Sequence, residues 1–200
     1  MAKKGLSIPF FGKYVNTNGT ITYNEGKTIG HAIEYSTEIE TADDNPLYGD
    51  NMIIEHDYGS FGGGTLTLNT SELTGPVSKW LLGMTEKTVN VGSGEPTTAV
   101  TEYVYDDDTK PITVGFGIIE LHQIDDVDKY RTVILSRCVP QIPAEAATTK
   151  GESIEWQTQE ITFTIERAED AKHTWQRSAW HDSEAAARAY LEQELGYTAG

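Results

Sequence analysis

The chain is short of cysteine, of basic residues and of long apolar runs, and each shortage removes a class of protein. Cys138 is the single cysteine among 200 residues, so neither an intramolecular disulfide nor a cysteine metal cluster is possible. Flanked by Arg137, Val139 and Pro140 at what reads as a strand end, it is expected to be a small buried hydrophobe. Fifteen Lys and Arg stand against 31 Asp and Glu, for a net charge of -16. That balance disfavours stable nucleic-acid binding, in which cations must displace phosphate counterions. It permits an acidic wall past which DNA slides. No segment approaches the ~20 apolar residues that span a bilayer. The N-terminus, MAKKGLSIPFFGKYV, has two lysines but neither the apolar run nor the A-x-A site of a signal peptide.

Catalytic and metal patterns are missing as well. There is no G-x-S-x-G elbow. His31, His56, His122, His173 and His181 show no H-E-x-x-H spacing; His31 and His56 could face each other across a hairpin, but ordinary strand histidines are the expectation. Asp106-Asp107-Asp108 and Asp125, Asp126 and Asp128 offer hard oxygen donors without EF-hand spacing and read as solvated turns. Gly59 to Gly64 lacks the Lys-Ser/Thr ending of a phosphate loop and runs into a strand. No carboxylate pair is singled out for glycosidase chemistry. The expectation is therefore no enzyme activity and no cofactor.

What is present is strand pattern. Two hundred residues suffice for one domain with a sizeable core, or a domain with long arms; hydrophobic content of 38% is on the low side, and a charge of 23% is moderate and does not argue for disorder. Asn18-Gly19 is a hairpin turn between Tyr14-Val15 and Ile21-Tyr23, in a polar stretch to Gly26 that reads as an arm outside the core. From Ile29 to Thr41, Ile29, His31, Ile33, Tyr35, Thr37 and Ile39 alternate with Gly30, Ala32, Glu34, Ser36, Glu38 and Glu40. A period of two puts an apolar and an acidic face on one strand. Ala42 to Asn51 reads as an excursion with Leu47-Tyr48 at its tip, after which Met52 to His56 resumes the strand in a long-looped hairpin. Thr65 to Leu68 alternates, and Leu73, Val77, Trp80 and Leu81 form a helical stripe with Thr74 as cap, Pro76 in the first turn and Gly83 as stop. Thr85 to Ala99 reads as a surface loop. Strands follow at Val100 to Tyr105, Ile112 to Gln123 and Lys129 to Val139, the last two around a turn at Asp125 to Asp128. Ser153 to Arg167 is a long strand with a bulge near Gln159. Asp182 or Ser183 opens a second helix with Ala187, Tyr190, Leu191 and Leu195 on one face and Gly196 at its end. The sum is a mainly β protein: a β-sandwich or partly open barrel with a short flanking helix and a C-terminal helix.

Four segments, in order, resemble the major tail proteins, or tail tube proteins, of long-tailed phages of Gram-positive hosts. They are Asp43-Asp44 with Asp50-Asn51; Gly64-Thr65-Leu66-Thr67-Leu68 with Leu73 and Trp80-Leu81-Leu82-Gly83; Val114-Gly115-Phe116-Gly117 with Lys129-Tyr130-Arg131; and Thr148-Thr149-Lys150-Gly151-Glu152-Ser153-Ile154-Glu155-Trp156-Gln157-Thr158. The fourth, a Lys-Gly turn feeding a strand, is the specific one. The residue patterns divide the chain into an N-terminal arm over 1–28, a β domain over 29–170 and a C-terminal segment with a helix over 171–200, and the resemblance makes the middle part a tail-tube domain. It implies a structural virion protein that forms hexameric rings stacked into a hollow tube. Its partners would be copies of itself, tape-measure and tail terminator proteins, and double-stranded DNA in passage, with no membrane. Its place would be the virion tail, assembled in the bacterial host cytoplasm. The alternative in another class is a carbohydrate-binding β-sandwich module, to which exposed Tyr48, Tyr103, Trp175 and Trp180 would contribute.

Two sets of residues carry the tube expectation. Glu34, Glu38, Glu40, Glu160 and Glu166 are expected to line the channel, at least in part. The segment with Asp43, Asp44, Leu47, Tyr48 and Asp50 is too long for a turn and is expected to reach the neighbouring ring.

Overall fold

Alternating apolar residues become strands, and Gly, Asn and Asp between them become turns. The strands are β1 (Ala2–Leu6), β2 (Phe10–Thr17), β3 (Thr20–Thr28), β4 (Ala32–Thr41), β5 (Asn45–Gly49), β6 (Met52–Asp57), β7 (Phe61–Thr70), β8 (Thr85–Val91), β9 (Thr98–Val104), β10 (Val114–Ile124), β11 (Val127–Pro140), β12 (Gln159–Glu166) and β13 (Gln176–His181). The helices are α1 (Gly75–Leu82) and α2 (Glu184–Glu194). These come from a computed structural model, which describes residues 2–43, 45–57, 59–92, 98–143 and 158–198. Segment 144–157, with the Lys150-Gly151 turn, lies outside the described residues, as does Asp44.

Nine strands form one antiparallel sheet built on the long β10–β11 hairpin. Its turn, Asp125-Asp126, has φ of 49° and 63°, the left-handed pair that matches strand twist. Each long strand serves two neighbours in succession. β10 pairs with β2 over Val114–Gly117 and with β1 over Glu120–Gln123. β11 pairs with β13 over Tyr130–Leu135 and with β12 over Arg137–Pro140. The main path runs β3-β2-β10-β11-β12-β7-β4, and its end strands β3 and β4 do not meet, so the barrel stays open.

The sheet curls around one core. Phe11 of β2, Phe116 and Ile118 of β10, Val133 and Leu135 of β11, Phe163 and Ile165 of β12, and Leu66 and Leu68 of β7 share it, with Leu81 and Leu82 of α1. Phe11 stacks on Phe163 at 5.5 Å. Cys138 is wholly buried there, and burial pushes its thiol pKa up. A smaller cluster forms on the other face, where Ala187, Leu191 and Leu195 of the C-terminal helix cover Phe10, Ile119 and Ile134. Gly117 permits that approach, because a Cβ there would run into Leu191 and Leu195. α2 starts as expected, with Ser183 Oγ accepting from Ala186 N at 3.2 Å. α1 ends at Gly83, φ 72°.

Several expectations need correction. The first residues are not an arm: β2 carries fully buried Phe10 and Phe11 and pairs with the centre of the sheet. Asn18 and Gly19 make the β2–β3 turn, while Gly12 is buried at the packed end, where a Cβ would run into Leu195. Thr85 to Ala99 is not simply a loop but most of a β8–β9 hairpin, in register from Thr85↔Val104 to Val91↔Thr98. β13 is a further strand beyond those expected; it adds to β11, with Trp180 opposite Arg131. The expected bulge near Gln159 reaches back to residues 156 and 157, outside the described residues; from Gln159 onward β12 pairs with β7 in continuous register.

Candidate functional site: an acidic sheet face and two projecting hairpins

Cross-strand register decides which residues share a face. On β7, Asn69 stands between Glu34 of β4 and Glu160 of β12; Thr67 stands between Ser36 and Thr162; Thr65 stands between Glu38 and Thr164. Glu40 follows opposite Gly63. The two acidic sets, distant in sequence, therefore lie on one face of the β12-β7-β4 sheet. The other face carries Leu66, Leu68, Ile161, Phe163 and Ile165, all in the core. The polar row is Thr-rich and acid-tipped, with the acids on the outer strands.

The five acids are not equivalent. Glu166 faces Arg137 in register and pairs with it at 3.0 Å. Arg137 also holds Glu169 at 3.0 Å and lies 5.6 Å from the Tyr14 ring centre. That end of the face is neutralised. Among the described residues Glu34, Glu38, Glu40 and Glu160 have no ion pair and stay exposed.

The alternation at the start of β4 breaks. A bulge between Ala32 and Glu34 puts Ala32 opposite Thr70 and against the core, not on the acidic face. Beyond Ala32, β4 reaches the core through Tyr35. Ile33 is 51% and Ile39 37% exposed, which departs from the expectation that this face is buried. The reason is position: β4 is the last strand of the sheet path, so nothing in the described chain covers its far side.

The excursion after β4 is a hairpin of its own. Among the described residues β5 and β6 pair only with each other. The tip is Asp50-Asn51, φ 50° and 61°, so Leu47 and Tyr48 lie along β5 and not at the tip. Met52 to His56 does not resume pairing with β4; β7 takes that place. Leu47 and Tyr48 are 58% and 65% exposed, and Met52, Ile53 and Ile54 are exposed beside them. At the hairpin base Ala42 N donates to Ser60 O at 2.8 Å, which closes the β4–β7 ladder beneath it. Asp43 lies exposed at that base.

The β8–β9 hairpin projects in the same way. Val89 faces Val100, both exposed, and Val91 faces Thr98. Tyr103 anchors its base, packed so closely on Gly75 that a side chain there would collide. A lone two-stranded hairpin is marginal in water. Two of them carry exposed apolar residues here.

The acidic turns do local work. Asp106 accepts from Thr85 Oγ1 and from its own turn at Asp108 N, each at 3.1 Å. Among the described residues no three His, Cys, Asp or Glu side chains converge as a metal site. β4 does not pair with β6, so His31 does not meet β6 across a hairpin. Trp175 is not a free platform; it stacks on Phe61 at 4.7 Å. One charged group escaped the sequence reading, the fully buried Glu120. Its signal was present, because Glu120 is in phase with Phe116 and Ile118 on the apolar row of β10.

No protein-family model matches the chain, and no curated protein matches it.

Proposed function

We propose that this chain is a phage tail tube subunit, a structural virion protein that closes rings with copies of itself, six to a ring, and stacks them into a hollow tube that conducts DNA. The observation that carries the reading is the open edge at β4: among the described residues a full-length strand without an outer partner, apolar on one face and unpaired acid on the other. Such an edge invites strand pairing. A second copy adding there, and the next adding to it, generates a ring when the rotation closes. The acidic face then lines the channel. With a screening length of ~8 Å at physiological salt, its charge repels DNA only near contact, which prevents sticking without blocking passage. The β5–β6 hairpin, with Leu47, Tyr48, Met52, Ile53 and Ile54 exposed on it, reaches the neighbouring ring. Tape-measure and terminator proteins set tube length, and assembly takes place in the bacterial host cytoplasm. The chain performs no catalytic step in this reading.

Sedimentation and negative-stain microscopy of the purified protein test it. Rings or filaments are expected at high concentration or with tail partners. A strict monomer under both conditions, with virion tails that lack the chain, would overturn the proposal.

A further inference from the structure

The inner row of the β10–β11 hairpin turns from apolar to charged at one end. Phe116 faces Leu135, Ile118 faces Val133, and the next pair in the row is Glu120 and Arg131. The Glu120 carboxylate has no exposed surface. Oε1 accepts from the Tyr35 hydroxyl of β4 and pairs with the Lys3 ammonium of β1. Oε2 lies 3.0 Å from His122 Nε2, on β10 itself, and 3.4 Å from Arg131 on β11. One buried group thus ties three other strands to β10. Burial alone would raise its pKa; hydrogen bonds from Lys3, Tyr35 and His122 outweigh that and hold it below the ordinary carboxylate range.

β1 depends on this group more than the rest of the sheet does. Its sequence, Ala-Lys-Lys-Gly-Leu, is poor strand material. Its register on β10 shifts between Lys3 and Gly5. Leu6 packs against the core, and Lys4 meets Asp128 at 3.0 Å on the surface, where such pairs contribute little. Lys3 also lies 5.4 Å from the Tyr35 ring centre. The dependence is one-sided. Without Lys3, Glu120 keeps Arg131, Tyr35 and His122; without Glu120, Lys3 turns out to water.

We infer that Glu120 is a latch for the N-terminal strand: its buried carboxylate holds Lys3, so that β1 can leave the β10 edge as a unit while the core beneath stays folded. Release uncovers the pairing groups of Glu120 to Gln123 and leaves the β2 pairing, at Val114 to Gly117, intact. The inference stands apart from the tube reading and needs no assembly to be tested.

Hydrogen exchange at neutral pH on the wild type, Glu120→Gln, Lys3→Met and the double variant decides it. The latch predicts exchange over residues 2–6 about ten- to a hundredfold faster in each single variant, as expected for loss of a charge-assisted hydrogen bond. Protection at Leu66 to Leu68 and Val133 to Leu135 should not change. The double variant should gain little over either single one, because both remove the same interaction. Lys3 is 57% exposed, so Lys3→Met tests the latch without a cavity or an unpaired buried charge in the core. Wild-type protection of residues 2–6 in Lys3→Met, or core and β1 loosened together, or additive effects in the double variant, would overturn the latch.

Discussion

Reversing the charge at Glu34, Glu38 and Glu40 separates a channel wall from an ordinary outer face. Each Glu→Lys change adds two charges, so the triple variant moves the chain from -16 to about -10. Its effect on folding should be small. Glu34 and Glu160 flank Asn69 across two strand spacings, roughly 10 Å. A unit charge pair at that distance in water is worth about 0.4 kcal/mol, and about 0.1 after screening. In Glu34→Lys the new ammonium would attract Glu160 by that amount, and exposed edge sites stay within about 0.5 kcal/mol each. The thermal midpoint should therefore hardly move. DNA should respond strongly. Three lysines meeting phosphates give a salt slope of about -2.7, so affinity should rise about 40-fold between 200 and 50 mM salt. In a ring the repetition enlarges the effect. The assay is DNA retention by assembled tubes at the two salt concentrations, together with ejection rate from phage carrying the variant. Normal ejection and salt-independent retention, from a variant with the wild-type midpoint that still builds tubes, would falsify the channel placement. A tube map with these glutamates outside would do the same.

Replacing Asp43 to Gly59 by Asn-Gly should leave the domain folded, because Ala42 already bonds Ser60 beneath the hairpin; circular dichroism should show a nearly unchanged melt while microscopy shows no stacked tubes, and normal tubes would refute the stacking role. Ser183→Ala removes the cap that accepts from Ala186 N and should cost about 1 kcal/mol in urea denaturation; no loss would mean the cap is idle. Cys138 should resist a thiol reagent until the protein unfolds, since its side chain is fully buried and its pKa is raised; rapid native labelling would contradict the core placement. Glu120 sits at a depressed pKa, so its stabilisation is present above the unfolded value of about 4.3 and is lost as pH falls through the lower folded value. Urea midpoints at neutral pH and in acid should then converge for Glu120→Gln relative to the wild type, and an unchanged gap would refute that sign.

Much of this protein was written in local pattern. Asn18-Gly19 fixed a hairpin because its left-handed turn suits few other residues. Ser183 and the Ala187, Leu191, Leu195 stripe fixed α2 by capping and a 3.6 period. The alternation of Leu66, Leu68, Ile161, Phe163 and Ile165 fixed which sides face the core. What alternation cannot express is which strand lies beside which. That Glu34 and Glu160 share a face follows only from both strands choosing β7. Asp50-Asn51 carries the same turn chemistry as Asn18-Gly19, yet its strands ended in a separate hairpin because β4 paired with β7 and left β6 without a sheet. Phe10 and Phe11 read as part of a polar arm until the β10 edge received them. Glu120 looked like one more acid among 31, and only the convergence of β1, β4 and β11 around it made burial tolerable. Period and turn residues act between neighbours in the chain, so the sequence determined elements and their faces. Strand order and buried charge depend on contacts between distant segments, and those only the tertiary structure decided.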